Sequence, residues 1–233
     1  MEKRWVVRLF VAVGFVACAS IAPKNAEACG GGDWEFQPAV DVRPEGLDKS
    51  EKDIHEGHHL TAAARIIRMF PELRKAKLGV DPKIDRAYRL LSLATARAGG
   101  ALAIEKEVPE WVRGSWIGKT EKDRTANLTW AVSSMRSLNE VKKDDPALQT
   151  ELGEVLARAP GHETEAREIL GKLAQKDLIS SPEGYAALAM LHAKSGDTAG
   201  REAAMKKCQA MAKSQSTCGD DRVAGTPAAG GRS

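Results

Sequence analysis

The feature that most constrains this chain is an apolar pattern of helical period that repeats itself. Asp145-Pro146 recurs as Ser181-Pro182, and Leu152-Gly153 recurs as Leu188-Ala189, each 36 residues later. In both copies a side chain able to cap a helix precedes a proline, whose missing N–H costs nothing at the first helical position. The small residue that follows lets a second helix approach closely. The second half of the pattern slips by two, since Ala166, Leu170 and Leu173 match Ala204, Cys208 and Met211 at a spacing of 38. A helix, a tight turn and a second helix cannot bury their apolar face alone, so the repeat predicts helical hairpins stacked on one another.

The same periodicity runs upstream. Leu60, Ala63, Ile67 and Phe70, then Ile84, Tyr88, Leu91 and Ala98, then Leu128, Ala131, Met135 and Leu138 each mark one face of a helix. Thr120 with Asp123 forms the pattern of a capping box of shorter reach. Aromatic residues make up only 5% of the chain, which disfavours an all-β fold. Residues 29–47 hold glycines and prolines without sustained periodicity, and residues 215–233 have little to bury, so both ends are expected to be flexible.

Leu188-Ala189, Gly196-Asp197 and Ala204 place a Leu and a small residue in a first helix, Gly at a turn and Ala in a second helix. In this the chain resembles the tetratricopeptide repeat (TPR) family, over about residues 48–214. Leu152-Gly153 with Ala166, Leu91-Ser92 with Gly99, and Gly57 followed by Ala62, Ile66 and Met69 fit the pattern less fully. The family's aromatic positions are kept in part by Tyr88 and Tyr185, and its closing proline is mostly missing. The resemblance implies an all-α, TPR-like domain of stacked hairpins, a short solenoid that binds a protein or peptide partner. It also puts His192 at a first-helix position where the family often has Tyr, a place that lines a groove or packs between helices.

From Leu91-Ser92 to Leu152-Gly153 is 61 residues, more than one repeat, so an insertion is expected at about residues 100–118. It carries Trp111 and Trp116. Loop aromatics are good partner anchors, and both indoles are binding candidates; the alternative is that they fold back and fill a seam between hairpins.

Residues 1–28 have a basic start, an apolar run of 14 residues from Leu9 to Ala22, and a polar stretch ending Ala26-Glu27-Ala28. That is the plan of a secretory signal peptide, and the run is short of the roughly 20 residues that span a bilayer. Cleavage after Ala28 would leave Cys29 at the N-terminus. Phe15-Val16-Ala17-Cys18 also resembles a lipobox, which would make Cys18 a lipid anchor. Either route leads outside the cytoplasm, to a periplasmic or secreted protein or a lipoprotein. Without the signal the chain has 31 basic and 30 acidic side chains. That near-neutral balance supplies no electrostatic basis for nucleic-acid binding.

An oxidising compartment permits disulfides, and Cys208 and Cys218, ten residues apart across an expected reversal, are the candidate pair. No CxxC, phosphate-binding loop or G-x-S-x-G elbow is readable, so no cofactor is expected. His55-Glu56-Gly57-His58-His59 does match H-E-x-x-H. On one helix His55 and His59 would bind zinc and Glu56 would activate water, giving a zinc-dependent hydrolase. Gly57, however, falls where the repeat register wants its turn. The sequence therefore favours a non-enzymatic scaffold with the hydrolase as alternative.

Overall fold

The structure, a computed structural model, describes residues 41–102 and 114–219. Among the described residues there are eight α-helices and no strand. They are α1 (Arg43–His55), α2 (His59–Met69), α3 (Pro82–Arg97), α4 (Glu121–Val141), α5 (Pro146–Arg158), α6 (Glu163–Gln175), α7 (Pro182–Lys194) and α8 (Thr198–Met211).

The starts of these helices follow from the capping chemistry. Asp145 accepts from the backbone N–H groups of Ala147 and Leu148, Ser181 from Gly184, and Asp81 from Lys83, each with proline in the first turn. Thr120 and Asp123 form the reciprocal capping box. Consecutive helices then lie side by side, α1 with α2, α5 with α6 and α7 with α8 across short turns, and α3 with α4 across the longer connection of residues 98–120. The first helices of the hairpins also touch in succession, α1 to α3 to α5 to α7, while α2, α4 and α6 each pack on the first helix of the following hairpin. The result is solenoid-like: all-α, with each hairpin resting on its neighbours.

This arrangement explains an asymmetry of composition. Helices α3, α5 and α7 are wedged among several neighbours and are buried on most sides, from Ala87 to Ala96, Leu148 to Ala157 and Glu183 to Leu191. Helices α2, α6 and α8 bury a narrow stripe, which in α6 is Ala166, Leu170 and Leu173. Gly153 on α5 faces Leu170 on α6 so closely that a Cβ there would sit 2.6 Å from the Leu170 Cγ. The small residue of the repeat is thus what lets these two helices touch.

The structure corrects the sequence reading at three places. The folded domain begins before residue 48, because Pro44 is tolerated in the first turn of α1 and Leu47 enters the core. It extends past residue 214, because Gln215–Cys218 forms a 3-10 turn with Cys218 buried and joined to Cys208, their Cα atoms 6.0 Å apart. Leu60 is exposed in the first turn of α2, whose buried stripe is Ala62, Ala63, Ile66 and Ile67.

No helix among the described residues is long and apolar enough to cross a membrane. The signal segment, Cys18, Cys29 and Trp111 lie outside the described residues.

Candidate functional site

The H-E-x-x-H residues fall on two elements. His55 closes α1, Gly57 turns the chain with φ of 88°, a conformation that suits glycine, and His59 opens α2. His55 is exposed and lies 4.0 Å from Glu183, while His59 faces the buried carboxylate of Glu154. A different trio, Asp53, Glu56 and His58, has its ligating atoms within 4.8 Å of one another. Asp53, however, is ion-paired with Arg65, so part of its charge is already matched.

Trp116, a candidate anchor, is an interior residue with 5% of its surface exposed. Its ring meets Trp130 edge-on with centroids 4.8 Å apart, and Trp130 stacks on Tyr88. The guanidinium of Arg74 lies 3.7 Å above the Trp116 ring. Asn127 on α4 donates to the carbonyls of Gly100 and Trp116, and Leu102 N–H donates to the Trp116 carbonyl, so both ends of the insertion are bonded together. The indole packs against Trp130 of α4 beneath Arg74 and offers little surface to a partner. His192 is 23% exposed and is held by Asp197 at 2.7 Å across the turn between α7 and α8. Asp197 also caps α8 through Gly200, so His192 braces a turn.

The row of first helices carries a ladder of ion pairs. Glu51 on α1 meets Arg86 and Arg89 on α3, and Arg89 grips Glu151 on α5 with two contacts of 2.7 Å. Deeper in, Arg97 on α3 clasps Glu154 on α5 at 2.7 and 2.9 Å, touches Glu183 on α7 at 3.3 Å, and donates to the Ile54 carbonyl of α1. One guanidinium therefore reaches all four hairpins. Burial pushes the Glu154 carboxyl up, but the adjacent Arg97, with Arg158 and His59 behind it, outweighs this and holds it at about 2. Burial likewise works against the Arg97 charge, and Glu154 and Glu183 more than restore it. Glu183 Oε2 and Arg158 Nε stay buried without a hydrogen-bond partner among the described residues, so the hub is satisfied only in part.

Sequence reasoning missed this hub, although two signals were present. Glu154 interrupts the apolar run from Leu152 to Leu156, and Arg97 ends the alanine-rich stretch of α3. A lone charge inside an apolar helix calls for a partner of opposite sign.

An open groove of about 630 Å³ lies elsewhere, where the end of α4, the start of α5 and the last turns of α6 converge. Leu152, Ile169, Leu173 and Leu178 give it an apolar floor, and Leu178 is 42% exposed. Arg136, Lys143, Lys172 and Lys176 stand around it, with Glu140 and Asp144 on the α4 side. The ladder and hub are occupied by internal ion pairs, whereas this groove leaves apolar surface open to a ligand.

Comparison with known proteins finds no family, no curated protein and no solved structure that matches this chain.

Proposed function

We propose that this chain is a non-enzymatic, extracytoplasmic scaffold of TPR-like hairpins that holds a protein or peptide segment in the groove between α4, α5 and α6. The observation that carries the reading is the pairing of an apolar floor with an open, charged rim on a row of hairpins that support one another. Stacked hairpins keep such a surface rigid, and a ligand seated on it buries Leu178 and Ile169 without rearranging the core. The export signal read at residues 1–28, with a lipid anchor at Cys18 as the other route, puts the work outside the cytoplasm. The division of His55 and His59 between two helices supports binding over zinc-dependent hydrolysis.

Site-specific photo-crosslinking tests this. A crosslinker in place of Leu178 should capture an envelope or secreted protein that the same group in place of exposed Leu60 does not. Equal capture at both positions would dismiss the groove. Chelator-sensitive cleavage of a peptide library, lost in Glu56→Gln, would establish the hydrolase instead.

A further inference from the structure

The groove described above has a charge pattern that selects its occupant. Lys172 in the last turn of α6 and Lys176 at its C-cap lie four residues apart, beside Ile169 and Leu173, and both are exposed. Neither is in an ion pair among the described residues, while nearby Lys194 and Lys207 are each taken by a carboxylate, Glu163 and Asp177. With no carboxylate on either ammonium among the described residues, a bound anion meets two cations that have no internal partner to give up. Arg136 is already matched by Glu165 at 2.5 Å, and Glu140 and Asp144 sit on the opposite lip with Lys143. The charged residues that line the groove at the end of α6 are thus both basic, and they flank its apolar floor.

We infer that the groove takes a partner segment whose apolar side chains are flanked by carboxylates on the edge that meets α6, an acidic amphipathic stretch of another protein. The inference rests on the groove reading and adds the partner's chemistry to it. The apolar side chains supply the burial; the carboxylates meet Lys172 and Lys176, raise the encounter rate and set which way the segment lies. A basic segment would bring like charge against the same lip.

The test uses the mature protein and two labelled amphipathic peptides, one of leucine and glutamate and a twin with lysine for glutamate, read by fluorescence anisotropy. The glutamate peptide should bind about tenfold or more tightly than its twin, and weaken as salt is added. Replacing Lys172→Glu together with Lys176→Glu should abolish or reverse the preference while the circular-dichroism spectrum and melting temperature stay unchanged. Leu178→Ser should weaken the glutamate peptide as well. Equal binding of both peptides that is lost in Leu178→Ser overturns the charge selection and leaves the groove reading standing. Binding of neither peptide, a preference untouched by the double lysine change, or binding indifferent to Leu178→Ser overturns the inference outright; the crosslinking at Leu178 judges the groove separately.

Discussion

The guanidinium of Arg97 and the carboxylate of Glu183, 86 residues apart in the chain, lie 3.3 Å apart and join the second hairpin to the fourth. Both side chains are almost wholly buried, and the same guanidinium holds Glu154 of the third hairpin and a carbonyl of the first. A solenoid normally communicates only between nearest neighbours. Here a single cation ties non-adjacent units, so the four hairpins should unfold together.

Removing that cation tests the linkage. Arg97→Met leaves Glu154 and Glu183 buried with less compensation and should cost about 3–5 kcal/mol in urea unfolding. Adding Glu154→Leu should recover part of the loss. A single variant that unfolds at the wild-type urea midpoint would show that the pair contributes little.

The pH dependence follows from Glu154. Its folded pKa, about 2, lies below the ordinary 4.5, so the stability it contributes is complete above about pH 4.5 and is lost as pH falls through about 2. Unfolding free energy measured across that window should fall with acidification, and Glu154→Gln should flatten part of the slope. An unchanged slope in the variant would assign the acid sensitivity to other carboxylates.

Trp116 should behave as core. Trp116→Ala removes an indole packed on Trp130 and Arg74 and should cost about 3–5 kcal/mol. Thermal melts of the variant decide it; a wild-type melting temperature would return the indole to the surface.

Gly153→Ala should destabilise despite alanine's better helix propensity. The added methyl meets Leu170 well inside contact distance, an overpacking cost of about 1–3 kcal/mol against a gain of about 1 kcal/mol. Denaturant titration should show a small net loss, and a net gain would mean that Leu170 yields freely.

The Cys208 to Cys218 bond closes a small loop and holds the final 3-10 turn against α7 and α8. Replacing both with alanine should lower stability by about 2–3 kcal/mol. Tryptic cleavage at exposed Lys213 should quicken, and an identical digestion course would argue against any clamping role.

The sequence by itself determined the local events. Asp145-Pro146, Ser181-Pro182 and Thr120 with Asp123 start helices because capping is satisfied within a few residues of chain, and Gly57 turns because few other residues tolerate its positive φ. Periodicity likewise marked helices and the need for stacking, since an apolar stripe must be buried against something. It could not say against what. Whether Trp116 faced a partner or the core depended on Trp130, Tyr88 and Arg74, which come from other elements. The meeting of Arg97 with Glu154 and Glu183, and of Leu178 with Leu152 and Ile169, spans several helices as well. Those relations were fixed only by tertiary structure, because charge pairing and groove geometry depend on distances between helices that local spacing does not contain.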